Sequence, residues 1–309
     1  MILNAPTETD FEKQAVVFLN LAWDAVFELL VDYSNIEEWN SFALDGEASK
    51  EYWRAAKKPL SIAHALSQQG AELMLKAKIA EVSPYFIIAN SPKEWPAKCS
   101  QKDVEFADFR TIDAQDLIKV HDTVCQNKLP QSFTNTFTEF RKQRNAIFHT
   151  VDNRLRFSVE VIISYILDTA ALCFPKEWPR LRNEYLENKP TSQAVGIDNV
   201  TNQLCHEMNL MIGLLKPKQL SSYFDFNKKQ RRYICPSCYW NMNRDYDTDY
   251  PMTAQLKPNK PSSTNVFCFV CGENTTVIRE DCKEDGCKGN VIHAKDDKEC
   301  LTCFGLQEY

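Results

Sequence analysis

Eight of the 12 cysteines in this 309-residue chain fall in four close pairs after residue 234. They are Cys235 and Cys238, Cys268 and Cys271, Cys282 and Cys287, and Cys300 and Cys303. Two residues between cysteines let both thiolates reach one tetrahedral ion from a tight turn, and two such turns close a four-thiolate site. The four pairs therefore predict two structural zinc ions, the Cys282–Cys287 turn being the looser one. Four protein thiolates leave zinc no open position, so no catalytic metal is expected. A domain this small has a thin core of its own and needs such staples. A disulfide framework conflicts with the N-terminal sequence, which opens with acidic residues and lacks the basic start of a secretory signal. Iron–sulfur ligation usually places its cysteines closer together. Spacing leaves open whether the pairs combine sequentially or interleaved; the sequential arrangement is expected. His293 lies between pairs, and a surface position is expected for it rather than a ligand role. Cys99, Cys125, Cys173 and Cys205 read as ordinary thiols.

Charge is uneven. The first 50 residues carry 10 acidic side chains against 2 basic, so most of the net charge of -6 belongs to the N-terminus. A basic run follows much later, with Lys216, Lys218, Lys228, Lys229, Arg231 and Arg232 opposed by Asp225 alone. Such a run can hold phosphates by counterion release, or it can be a solvated connector. Tyr223, Phe224, Phe226 and Tyr233 are interleaved with it and would suit single-stranded RNA through stacking. Lys228, Lys229, Arg231 and Arg232, with Arg141 further upstream, are the expected RNA-binding residues.

The first 190 residues read as helical. The most apolar stretch, Ala15 to Val31, is short for a bilayer span. It also carries Asn20, Asp24, Glu28 and then Asp32 at four-residue steps, one drifting polar stripe on a helix from about Phe11 to Tyr33. That is a largely buried helix of a soluble, cytoplasmic protein with no membrane partner. A second helix is expected from about Leu66 to Ser83, ahead of Pro84. "TIDAQDLIKVHDTV" gives a short helix capped at Thr111 or Asp113. "SFTNTFTEFRKQRNAIFH" and "SVEVIISYILDTAALCF" give two more, and short connections argue for an antiparallel bundle. The expected organisation is a helical domain over 1–190 with its core at about 60–175, a connecting segment over 191–232, and a β-rich zinc-binding domain over 233–309.

In the fourth of these helices, Phe133, Phe137, Phe140, Arg144 and Ile147 recur at steps of four and three. Arg144 interrupts an apolar stripe, and arginine is rarely buried unless paired. Arg141, Asn145 and His149 form a neighbouring stripe at four-residue spacing. One helix edge thus presents a guanidinium, an amide and an imidazole.

Arg144 followed by Asn145, three residues and His149 resembles the signature of HEPN-domain proteins. A preceding helix "AELMLKAKIAEV", the acidic stretch "TIDAQDLIKV" and the apolar helix after His149 extend the resemblance over roughly residues 60–175. The resemblance implies an all-α bundle that dimerises and brings two motifs into one cleft. It also implies a metal-independent endoribonuclease, in prokaryotes often a toxin or antiphage-defence effector. His149 would act in acid–base catalysis at the ribose 2′-OH or the leaving oxygen. Arg144 would stabilise charge on the scissile phosphate, and Asn145 would orient His149 or bind the phosphate. Some family toxins carry a tyrosine two residues after the histidine; Val151 stands there, so control by tyrosine modification is not expected. The C-terminal module is similar to a double zinc ribbon and would recruit RNA or a protein partner. Two other functions fit the same residues: a non-catalytic HEPN interaction protein, and a DNA-binding regulator working through the ribbons. The second is opposed by the lack of a strongly basic face after residue 233.

Overall fold

The computed structural model describes residues 1–40, 46–89, 91, 93, 95–97, 99, 101–149, 155–195, 199–242, 250–295 and 298–307. The chain divides into two units, Met1–Pro175 and Lys176–Tyr309.

The first unit is a helical bundle. Its helices are α1 (Glu8–Asn40), α2 (Gly46–Ala55), α3 (Lys57–Val82), α4 (Ala114–Val124), α5 (Gln131–His149) and α6 (Val159–Ala170). A short parallel ladder pairs β1 (Ile2–Leu3) with β2 (Val104–Glu105). Helix α3 is the axis: α1 packs along it, and α4, α5 and α6 cover its remaining sides. It starts at Lys57, well before the Leu66 expected from its apolar spacing, and Leu60 and Ala63 extend its buried surface.

Small residues set the distance between α1 and α3. Ala15, Ala22, Ala63, Ala71 and Ala77 are all fully buried. At Gly70 the approach is closest: a Cβ there would stand 2.7 Å from Leu19 Cδ2 and 3.3 Å from the Ala15 carbonyl oxygen. Leu19 is itself fully buried and has nowhere to withdraw. A mid-helix glycine costs about 1 kcal/mol relative to alanine, so the close contact must outweigh that loss. Helix α1 has the length and hydropathy to cross a bilayer. Its Leu19, Trp23, Val26 and Phe27 side chains are nevertheless buried, which is the use a core helix makes of such residues.

The second unit contains α7 (Trp178–Glu187), α8 (Pro190–Val195), α9 (Val200–Leu214), α10 (Pro217–Phe224) and α11 (Pro236–Asn241). Its antiparallel sheet has the order β3 (Ala254–Leu256), β4 (Asn265–Cys268), β5 (Asn274–Ile278) and β6 (Ile292–His293). Much of the segment read from the sequence as a connector is built into this unit. Helices α7 and α9 are joined by Arg182, fully buried, whose Nε and Nη2 donate to the Glu207 carboxylate at 2.9 and 2.7 Å. Beyond α10, Phe226 packs on Phe269, the residue after β4, at 4.9 Å between ring centres. The Asn227 amide and carbonyl are both bonded by the Gln255 side chain, at 2.9 and 2.8 Å. The division into units accordingly falls at Pro175 rather than near residue 190 or 232.

Two outcomes test this packing. Gly70→Val should destabilise the first unit by about 1–3 kcal/mol through overpacking against Leu19, read as a lower denaturation midpoint with the slope unchanged. His64 on α3 is buried, stacked on Phe140 at 4.0 Å between ring centres, and neither ring nitrogen has a hydrogen-bond partner among the described residues. Burial lowers its pKa from 6.5 to about 4, an effect that the Glu139 charge offsets only in part. Between pH 6.5 and 4 the unfolded chain therefore binds a proton that the folded chain does not. Stability should fall with decreasing pH across that window, by about 3 kcal/mol at pH 4. His64→Leu should flatten that part of the profile in denaturation series at stepped pH.

Candidate catalytic motif and metal centres

Helix α5 is anchored by its apolar stripe. Phe133, Phe137 and Phe140 are buried, and Phe140 meets Tyr165 of α6 at 4.0 Å between ring centres. One turn further on, the stripe reaches Arg144, whose side chain is a quarter exposed. Arg144 Nη2 donates to Glu72 Oε1 of α3 at 2.6 Å. Glu72 is not free to swing. Its Oε1 also accepts from Gln68 Nε2 at 3.1 Å, and Gln68 Oε1 accepts from the buried Tyr165 hydroxyl at 2.9 Å. Burial pushes the Tyr165 pKa well above its usual value, with the Glu72 and Asp168 charges adding to the effect, so the hydroxyl stays a donor. A chain of Tyr165, Gln68 and Glu72 thus fixes the guanidinium from inside the bundle.

The other motif residues face outward. Asn145 and His149 are exposed and Arg141 is half-buried. Five residues of α-helix turn His149 about 140° from Arg144, and among the described residues no hydrogen bond joins Arg144 to Asn145 or His149. Residues 150–154, Val151 among them, lie outside the described residues.

Glu72 was not singled out from the sequence. The signal was there: His64, Gln68, Glu72 and Lys76 recur at four-residue steps on α3. His64, Gln68 and Glu72 are buried and Lys76 is half-buried, its Nζ donating to Thr111 Oγ1 at 3.0 Å. A polar stripe on a buried helix needs partners.

The basic run divides. Lys228 Nζ donates to the carbonyls of Gly213 and Leu215, at 3.2 and 3.4 Å, at the C-terminal end of α9 where cations are favoured. Arg231 donates to Thr302 Oγ1 at 3.2 Å and lies over the Tyr233 ring. Lys229 and Arg232 are exposed. The aromatic residues expected to stack on RNA do not form a platform. Phe224, Phe226 and Tyr233 are buried, the two phenylalanines against Phe269.

The eight cysteines form two groups in sequential pairing. Cys235, Cys238, Cys268 and Cys271 make one, Cys282, Cys287, Cys300 and Cys303 the other, and within each group the four sulfurs lie within 4.8 Å of one another. Cys235 and Cys271 Sγ are 3.6 Å apart, and Cys238 and Cys268 are 3.8 Å apart. In the second group, Cys282 to Cys303 is 3.7 Å and Cys287 to Cys300 is 3.9 Å. A tetrahedral ion with metal–sulfur bonds of about 2.3 Å places its thiolates about 3.8 Å apart. These separations are far longer than a disulfide's, and all 12 cysteines are free of disulfides. An iron–sulfur core would hold its thiolates farther apart. Each group therefore fits one tetrahedral metal ion.

Local backbone explains how these turns reach the sulfurs. Gly272, just after Cys271, takes a φ of +74° and bonds back to the Cys268 carbonyl at 2.9 Å. At Gly289 a Cβ would lie 2.6 Å from Cys300 Sγ, so only glycine lets the chain pass. Donors also surround the sulfurs, as thiolate ligands require. The Gly289 and Gly305 amides donate to Cys287 and Cys303 at 3.3 and 3.4 Å, and Gln307 Nε2 donates to Cys282 at 3.4 Å. Thr253 Oγ1 lies 3.1 Å from Cys268 Sγ. His293 is neither a ligand nor a surface residue. It is buried, and its Nδ1 bonds Glu299 Oε2 at 2.8 Å.

Compared with family models, curated proteins and solved structures, the chain matches none. Elemental analysis of the folded chain should find about two metal ions per chain, one for each four-thiol group. A strong chelator should abolish the cooperative unfolding of Lys176–Tyr309 and leave the helical signal of Met1–Pro175 in place.

Proposed function

We propose that this chain is a metal-independent endoribonuclease of HEPN type that acts as a homodimer, with zinc as the structural ion in both four-thiol groups. The observation that carries the proposal is the Arg144–Glu72 pair. Glu72 and its buried partners set a guanidinium at the surface end of the helix that exposes Asn145 and His149.

In this reading His149 removes the proton from a ribose 2′-OH. The 2′ oxygen attacks the adjacent phosphorus, the bond to the 5′ oxygen breaks, and that oxygen takes a proton from an imidazolium. The products are a 2′,3′-cyclic phosphate and a 5′-hydroxyl. Arg144 keeps guanidinium N–H groups beyond the one given to Glu72, and these stabilise the charge that builds on the phosphoryl oxygens. Asn145 donates to the phosphate. Glu72 touches no reacting atom; it is a positioning residue. A second copy completes the cleft, because one motif supplies a single imidazole and the reaction needs a base and an acid.

The same ion pair favours a second reading, a non-catalytic interaction protein in which Arg144 is held by Glu72 for stability alone. An RNA cleavage assay separates the two. Wild type in EDTA, with zinc content and folding checked in parallel, should cut mixed RNA and leave cyclic phosphate ends. His149→Ala and Arg144→Ala should each lower the rate by about 100-fold or more. Glu72→Gln should lower kcat more than KM, because it loosens the guanidinium without removing it. Cleavage that survives in both alanine variants, or no cleavage by folded dimeric wild type, sinks the enzyme reading.

A further inference from the structure

Helix α5 continues past the buried phenylalanines that anchor it, and its C-terminal stretch "RKQRNAIFH" carries three Lys and Arg side chains and no acid. Phe148 in that stretch is 65% exposed, more than any other phenylalanine among the described residues. It has no ring partner among them. Phe133, Phe137 and Phe140 on the same helix are buried, so Phe148 forgoes the burial that the other three gain.

Its place on the helix is specific. At about 100° per residue, Phe148 comes within about 20° of Arg141, two turns earlier. Arg144 lies about 40° to one side of it and Asn145 about 60° to the other, with His149 the next residue along. The exposed ring is thus framed by two guanidiniums, an amide and an imidazole. Acids do not compete for this face. Glu72 is matched by Arg144 at 2.6 Å. Glu139 lies on the opposite side of the helix from Phe148, where Gln143 Nε2 donates to it at 2.9 Å. Arg141 forms no ion pair among the described residues.

Cations for phosphates and an open ring for a base are the parts that hold an unpaired strand. A duplex keeps its bases stacked on one another and offers the ring nothing. A contact between two copies of the chain through this face alone would set the same cations against each other. We propose that Phe148 is the base-stacking residue of the ribonuclease site. An unpaired base beside the scissile phosphate stacks on its ring, and Arg141 holds the next phosphate of the strand. The substrate is then single-stranded RNA rather than duplex. The inference deepens the ribonuclease reading and rests on it for the choice of RNA.

The test uses the full metal-loaded chain carrying His149→Ala, so that bound RNA is not cut. Fluorescence anisotropy compares an end-labelled, unstructured RNA of about 16 nucleotides with the same strand annealed to its complement. The free strand should bind at least about tenfold tighter than the duplex. Phe148→Ala should weaken the free strand by about tenfold and leave the duplex unchanged. Phe148→Trp should restore that binding. Phe148→Leu should not, because leucine keeps apolar surface without a ring to stack on. Arg141→Gln should lower the slope of log affinity against log salt by about one. Sedimentation and metal content check each variant's assembly and fold. No binding of the free strand, equal binding of strand and duplex, or undiminished binding in Phe148→Ala overturns the proposal. So does a Phe148→Ala variant that falls to monomers and is restored by Phe148→Leu, since the ring would then be a contact between copies. Binding that depends on Phe148, without cleavage by wild type, supports the stacking and sinks the ribonuclease reading. Cleavage by wild type with Phe148 of no effect sinks the stacking alone.

Discussion

Helix α3 is buried along most of its length, and it carries His64, Gln68, Glu72 and Lys76 on one stripe. A buried helix with such a stripe must answer its polar groups from within the unit, and this requirement shapes what surrounds it. Tyr165 on α6 answers Gln68, Arg144 on α5 answers Glu72, and Thr111 answers Lys76. His64 is answered by ring stacking instead, and its imidazole stays neutral because burial makes protonation unfavourable. The opposite side of α3 meets α1 through alanines and Gly70, where contact is too close for any polar side chain. One helix therefore sets both the tight apolar seam and the polar network that ends at the candidate site.

The second unit solves a different problem. Its strands are two to five residues long, too short to hold together on ladder hydrogen bonds alone. One thiol group ties the β4–β5 turn to the start of α11, and the other ties the β5–β6 connection to the segment after β6. Arg182 and Glu207 tie the preceding helices to each other, with both charges removed from water and matched by two hydrogen bonds. Removing either partner would leave an uncompensated buried charge, which is costlier than the pair itself is stabilising.

Features carried by local spacing were legible in the sequence. The four cysteine pairs and the helices around Phe11–Tyr33 and in 132–149 all follow from residues within one or two turns of each other. What escaped was set by partners far away in the chain. Phe224 and Phe226 look like solvent-facing aromatics among lysines until Phe269 covers them. Arg144 looks like a break in an apolar stripe until Glu72, 72 positions earlier, pairs with it. His293 looks like a loose surface histidine until Glu299 and its strand bury it. Helices α7 and α10 are short and each begins at or beside a proline, so their periodicity is too brief to show as a pattern.

The sulfur separations of 3.6 to 3.9 Å carry one more consequence. Thiolates held that close by an ion are also within a small displacement of bonding to each other once the ion leaves. Oxidants that convert a ligand sulfur to sulfenic acid would weaken its grip on the ion, and a neighbouring thiol could then close a disulfide. The first unit, whose core contains no such sulfur group among its described residues, is exempt from this chemistry. The integrity of the second unit is thereby tied to its thiols staying reduced, while the first unit rests on its packing and its buried hydrogen bonds.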